Sequence, residues 1–240
     1  MDQHFSWEYD EFQQVGKDYA DKNEADNYDA RHADFRDIEA EDNRVLDTLG
    51  IKKGDVLIDF GAGTGAFAIR AAQRGARVFA VDVSQAMIDQ ARMKAERAGV
   101  PNIEFHHAGF LSYTHEGPLA DALVTTFAFH HLPDFWKGIA LKRLSKTLKP
   151  DGQLYMHDVI IEEQNALDNI DTFIEKLASA GGNFLREDAE EHFRDEYSTY
   201  DWVMDGLLAR AGFTIQSKHM DDGVIGTYLC TKKGKRIDAD

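Results

Sequence analysis

Apolar positions along this chain alternate between two rhythms. Val56-Leu57-Ile58 is a short apolar run with β-branched residues, which predicts a buried strand, and Ala66-Phe67-Ala68-Ile69-Arg70-Ala71-Ala72 follows with helical character. The unit then repeats. Ala76 to Val83 reads as a second strand, and Ser84 is placed to cap a helix carrying Met87, Ile88 and Ala91. A third strand falls near Ile103-Glu104-Phe105. Asp121 to Phe129 predicts a fourth strand and its loop, Leu141 to Leu148 a helix, Lys149-Pro150-Asp151-Gly152 a sharp turn, and Gln153 to Asp158 a fifth strand. Strand and helix alternating at this interval predict an α/β protein with a parallel sheet.

The flanks have patterns of their own. Ala33 to Leu49 places Phe35, Ile38, Val45, Leu46 and Leu49 at approximately helical spacing, and Phe5, Trp7, Tyr9, Phe12, Tyr19 and Tyr28 are interleaved with acids before it. Residues 159–200 are too long for an ordinary connection, and such stretches are usually functional lids. Leu167, Ile170, Phe173, Ile174 and Leu177 give that segment a helical stripe; Gly181-Gly182 breaks it, and a second short helix is expected over Asp188–Phe193. Met204, Leu207, Leu208 and Ala211 predict a helix ending at Gly212, followed by a strand from Phe213 to about Lys218 and a last strand through Tyr228-Leu229-Cys230.

The chemistry starts where the first strand ends, in Asp59-Phe60-Gly61-Ala62-Gly63-Thr64-Gly65. A strand, a glycine turn and a helix start make a nucleotide-binding crevice: glycine admits close backbone approach, and the helix end offers free N–H groups. Gly61-x-Gly63-x-x-Ala66 also fits the dinucleotide fingerprint. Asp59 points elsewhere, because a pyrophosphate disfavours a neighbouring carboxylate, whereas a ligand with an ammonium or sulfonium tolerates one. Asp82, 17 positions after Gly65 at the end of the second strand, is placed to accept hydrogen bonds from ribose hydroxyls under either reading.

With the acid-preceded glycines, the chain resembles the class I S-adenosylmethionine-dependent methyltransferases. The His130-His131-Leu132 turn and the Leu148-Lys149-Pro150-Asp151-Gly152 turn match that family's fourth- and fifth-strand region, Asp151 replacing a glycine. The resemblance is strong over about residues 50–158. It implies a doubly wound seven-stranded sheet of order 3-2-1-4-5-7-6, the last strand antiparallel. It also implies S-adenosylmethionine as cofactor, S-adenosylhomocysteine as product, and a monomer or homodimer. The implied cofactor residues are Asp59, Gly61, Gly63, Gly65, Asp82, Val83, Met87, Gly109, Phe110, Thr126 and Phe127. Gly109 departs from the family, since many relatives carry there an acid that binds the adenine amino group. One domain over 1–240 is expected: a helical cap (1–50), a cofactor-binding core (51–158), a lid insertion (159–200), a C-terminal helix with strands (201–234) and a tail (235–240).

Charge narrows the acceptor. The chain carries −16 overall, yet residues 1–50 hold 15 acids against 5 bases and residues 159–202 hold 12 against 3, which leaves the remainder slightly basic. A phosphate-backbone binder needs the opposite sign, so a small-molecule acceptor is favoured over nucleic acid. No apolar stretch approaches membrane-spanning length, and the start of the chain lacks a signal pattern, so a cytoplasmic location is expected. The single cysteine, Cys230, reads as a core thiol, and without a spaced ligand motif no metal is expected. His157 and His131, both at predicted strand ends, are the candidate bases, with His157 preferred; Asp158 should point to the opposite face from His157, and His106 and His107 should lie remote. Alternative functions are tRNA wobble-base modification, a carboxylated cofactor partnered by Arg31 or Arg36, and a non-enzymatic module that senses S-adenosylmethionine.

Overall fold

The computed structural model describes residues 7–13, 15 and 37–234. Phe5, Tyr19, Tyr28, Arg31, Phe35 and Arg36 lie outside the described residues. In chain order the elements are α1 (Ile38–Thr48), β1 (Val56–Phe60), α2 (Ala66–Gln73), β2 (Arg77–Asp82), α3 (Gln85–Ala98), β3 (Ile103–His107), β4 (Ala120–Thr126), a 3-10 turn (Phe129–His131), α4 (Asp134–Thr147), β5 (Leu148–Ile161), α5 (Ala166–Asp195), β6 (Thr199–Tyr200), α6 (Asp201–Arg210), β7 (Phe213–Asp221) and β8 (Ile225–Lys232).

The sheet order is β3-β2-β1-β4-β5-β8-β7, with the two-residue β6 added beside β5. Setting β6 aside, this is the expected 3-2-1-4-5-7-6. The strand inserted last, β8, runs antiparallel to both β5 and β7. Order reverses between β1 and β4: β1 pairs in parallel with β2 on one side and with β4 on the other, and ligand crevices form at such switch points.

Packing explains the uninterrupted apolar run at β1. Val56, Ile58 and Phe60 face one core layer with Leu141, Met204 and Phe213, while Leu57 faces the other with Leu46, Ala68 and Val78. A strand covered on both faces needs apolar residues at every position. Phe60 is 1% exposed, and truncating it to alanine should cost about 3–5 kcal/mol. The same alternation puts Asp59 on the Leu57 face, toward α1 and α2. Ser84 caps α3 as expected, its Oγ accepting from the Met87 N–H at 3.2 Å. Cys230 is fully buried in β8.

Several elements outrun their expected bounds, among them α4, which begins at Asp134 and not near Leu141. β5 continues to Ile161 and β7 to Asp221, because β8 and β6 supply partners along their far ends. Asp151 adopts φ 62° within the turn, a conformation aspartate tolerates. The largest difference is α5. Gly181 and Gly182 do break its helical backbone, but the second arm spans 183–195 and not only Asp188–Phe193. The arms double back: the Phe173 and Phe193 rings lie 6.2 Å apart, and Arg186 donates to Glu175 at 2.7 Å. In a straight helix residues 20 apart would be separated by about 30 Å. Within the predicted stripe Ile174 is buried, whereas Leu167 is 78% exposed. Among the described residues no helix is long and apolar enough to cross a membrane.

Candidate active site

The carboxyl ends of β1, β2, β4 and β5 open into one cavity of about 890 Å³. One wall of its first compartment is main chain. Gly61 (φ 71°) and Gly63 (φ 52°) line it; a Cβ at Gly61 would run into Ala128, whereas a Cβ at Gly63 would meet nothing within 4 Å and so would project into open space. Gly65 is not on the wall. A Cβ there would lie 2.8 Å from the Ala91 Cβ, so Gly65 lets α2 pack on α3. Asp82 fixes the crevice, its Oδ2 accepting from the Gly63 N–H and its Oδ1 from the Ser84 N–H, both at 2.8 Å. Burial pushes its carboxyl upward, while these N–H groups and His107 oppose the rise.

Asp59 stands behind the wall, 4% exposed. Its Oδ2 has no hydrogen-bond partner among the described residues. Burial, with Asp42 and Asp82 nearby, pushes this carboxyl up to about 8.

Val83, Met87, Ala108, Gly109 and Phe110 line the far end of the same compartment. Gly109 has no room for a side chain: a Cβ would strike the Glu11 carboxylate and Val83. Glu11 arrives from the N-terminal segment and accepts from the N–H groups of Leu111 (2.9 Å) and Ser112 (2.7 Å). A carboxylate from a segment about 100 residues away therefore fills the space that a side chain at position 109 would take. His107 is not remote, since it pairs with Asp82 in the sheet and its Nε2 lies 2.8 Å from the Val83 carbonyl oxygen. His106 packs between Phe79 and Tyr113.

The second compartment is made of side chains. Thr126, Phe127, His130, His131 and His157 form its floor, and α5 forms its roof with Phe173, Leu177, Phe184 and Leu185. Phe127 takes φ 49°, a strained conformation for a bulky residue, and its N–H donates to the His157 carbonyl at 2.8 Å. His157 Nδ1 lies 2.8 Å from Thr227 Oγ1. Asp158 faces the other way, as alternation requires, and meets His130 Nδ1 at 2.5 Å. Burial alone would depress His130, but Asp158 and Glu196 push it up to about 9. His131 is carried down to about 4 by burial and by His130, whose ring is 4.3 Å away.

The chain leaving α5 is pinned to this floor. The Tyr197 N–H donates to the His130 carbonyl at 3.0 Å, and Thr199 Oγ1 donates to Asp134 at 3.0 Å. Lys137, 1% exposed, donates to both Asp134 and the Tyr197 carbonyl. On the opposite side Tyr9 donates to the His131 carbonyl at 3.0 Å and packs against Trp136 and Tyr197. Sequence reasoning did not find Glu11, His192 or Glu196, because each reaches the site only through long-range folding.

A doubly wound sheet with a glycine-walled crevice at its switch point and a roofed second compartment defines a Rossmann-like, nucleotide-cofactor enzyme. The model of the "Methyltransferase domain" family matches residues 57–152. An uncharacterised methyltransferase of Geobacillus kaustophilus is 31% identical over 180 residues, covering 75% of this chain and 79% of that protein. Among solved structures, an S-adenosylmethionine-dependent methyltransferase from Aquifex aeolicus superposes with a TM-score of 0.62 at 20% identity, covering 88% of this chain and 98% of that one. Magnesium protoporphyrin IX methyltransferase from Synechocystis, solved with its cofactor bound, gives 0.58 at 16% identity, covering 81% and 79%. The chain belongs to the class I S-adenosylmethionine-dependent methyltransferases, enzymes rather than cofactor sensors.

S-adenosylmethionine is accordingly the cofactor, and the residues present fit it. Gly63 leaves the wall open where a side chain would intrude, and Asp59 keeps a buried carboxylate oxygen unsatisfied next to the crevice. A cationic ligand beside such a group lowers the cost of its ionisation.

Proposed function

We propose that this enzyme methylates a small, neutral or cationic acceptor with an apolar body, held beneath α5. The observation that carries this reading is the second compartment: it is continuous with the cofactor crevice, apolar in its roof, and acidic around it. Among the described residues lining the cavity, eight side chains are carboxylic acids (Glu11, Glu41, Asp82, Asp188, Glu191, Glu196, Asp221, Asp222) and one, Lys176, is a lysine. That field repels a phosphate backbone, which argues against a tRNA acceptor.

In this reading Asp82 accepts from the ribose hydroxyls, and Val83, Met87 and Phe110 border the adenine. Gly61 and Gly63 admit the methionine portion, and Thr126 and Phe127 separate the two compartments. Glu11 supplies the acid absent at Gly109. The bound cofactor provides a methyl group already activated by its sulfonium, so the protein's contribution is mainly alignment of the acceptor and exclusion of water. His157, held by Thr227, is the better-placed base if the acceptor must lose a proton. His131 is carried toward the neutral form but packs against His130.

Calorimetry with S-adenosylmethionine, S-adenosylhomocysteine and NAD tests the cofactor assignment: the two sulfur ligands should bind and NAD should not. Turnover, followed by S-adenosylhomocysteine release, should appear with uncharged or amine-bearing aromatic and aliphatic acceptors. Methylation of RNA, or activity confined to phosphorylated acceptors, would overturn the acceptor reading while leaving the cofactor assignment intact.

A further inference from the structure

We propose that His130, His192 and Glu196 bind a divalent transition-metal ion in the acceptor compartment. The three come from separate places, the 3-10 turn, the second arm of α5 and the residue following it, yet their ligand atoms all lie within 4.8 Å of one another. Glu196 Oε2 stands 3.1 Å from His130 Nε2 and 2.5 Å from His192 Nδ1. Nevertheless this buried oxygen makes no hydrogen bond of acceptable geometry. Atoms so arranged converge on a common point. Metal–ligand bonds of about 2.0–2.2 Å bring neighbouring ligand atoms to roughly 3.0–3.5 Å, close to the His130–Glu196 separation, and the 2.5 Å His192–Glu196 pair would open by about half an ångström to admit the ion.

The outer partners agree. His130 offers Nε2 because its Nδ1 is held by Asp158, which is itself fixed by the N–H groups of Phe129 and Val159, both at 2.7 Å. His192 offers Nδ1 because its Nε2 lies 2.9 Å from Ser198 Oγ. A carboxylate behind a ligating imidazole is the usual way a protein fixes tautomer and ring orientation at a metal. Two imidazoles and one carboxylate suit Zn²⁺, Fe²⁺, Mn²⁺ or Co²⁺ and leave coordination positions open. All three residues line the cavity, so those positions face the acceptor. There an oxygen or nitrogen of the acceptor would become a further ligand and lose its proton more readily. This use of the ion rests on the acceptor reading above; the metal binding itself does not.

The test is therefore made without cofactor or acceptor. Chelator-treated protein is titrated with Co²⁺ and followed by visible absorption, then with Zn²⁺ by calorimetry. One equivalent of each should bind. His192→Ala and Glu196→Gln, checked for folding by circular dichroism, should each weaken binding at least tenfold, while the exposed His219→Ala should leave it unchanged. X-ray absorption at the zinc edge of the wild-type protein should show a shell containing two imidazoles. Absence of saturable binding, retention of it in both variants, or a zinc shell of oxygen or sulfur alone would overturn the proposal. The cluster would then be a proton-linked network of histidines and carboxylates.

Discussion

Where the glycine loop after β1 lines the cavity, the wall is main chain held by one carboxylate: Gly61 and Gly63 carry no side chains, and Asp82 ties the loops together through two N–H groups. On the β4–β5 side the wall is side chain. Three histidines and the Phe127 ring meet there, braced by acids from other parts of the chain. The first construction suits a ligand that never changes, since main-chain groups are indifferent to side-chain drift. The second suits a ligand that differs between relatives, since every contact can be replaced singly. The fold keeps the two apart by placing them on opposite sides of the switch point.

The comparison breaks most sharply at Gly63. Gly63→Val places a branched side chain in the open crevice at φ 52° and should abolish cofactor binding, at a stability cost of about 1–3 kcal/mol. Calorimetry beside thermal unfolding separates the two effects. A folded Gly63→Val protein with normal affinity would place the cofactor elsewhere. Asp82→Ala should weaken binding by about 1–3 kcal/mol, the range for lost hydrogen bonds to a charged group. Retention of wild-type affinity would mean that Asp82 serves only to shape the loops.

Glu11 sharpens the contrast, because it is a side chain from a distant segment at the cofactor end. Glu11→Ala should weaken S-adenosylhomocysteine by about 0.5–1.5 kcal/mol and raise amide exchange over residues 7–13. Faster exchange with unaltered affinity would make Glu11 a clasp for the segment and nothing more.

The last test, at Asp59, reads stability and leaves affinity aside. Its carboxyl ionises near 3.9 when unfolded and near 8 when folded. Between those values the native state holds a proton that the unfolded state has released, so this group's contribution to stability falls as pH rises through the window. Asp59→Asn removes that slope. The variant's melting temperature should gain on wild type between pH 5 and pH 8 in the cofactor-free protein, by about 2–4 °C for each kcal/mol recovered. An equal gap at both pH values would show that Asp59 already has a partner when charged.

The first compartment was legible in the sequence because its determinants are local. Gly61, Gly63 and Ser84 lie within a few residues of the turns they shape, and the β-branched run at Val56 announces a strand covered on both faces. Asp59 was legible as an acid but not in its direction, which depends on which face of β1 meets α1. The second compartment was partly legible: His130, His131 and His157 could be placed at strand ends. Their partners could not, because Asp158 is 28 residues from His130, and Glu11 is 101 from Ser112. Pairings at such separations are created by sheet order, and no spacing rule encodes them.

The α5 excursion leaves β5 at its far end and returns as β6, where Thr199 pairs with Ile160 and Tyr200 with Ile161. Its two ends are thus stitched side by side to the same strand. A loop whose ends meet in this way is a cassette: the sheet beneath registers where it begins and finishes, not how long it is. Grafting a different excursion between these anchor points would exchange the roof and with it His192 and Glu196, while the methyl-donor crevice stayed as it is. Recombination could produce new acceptor preferences in this lineage by trading one surface segment, with no need to redesign the catalytic core.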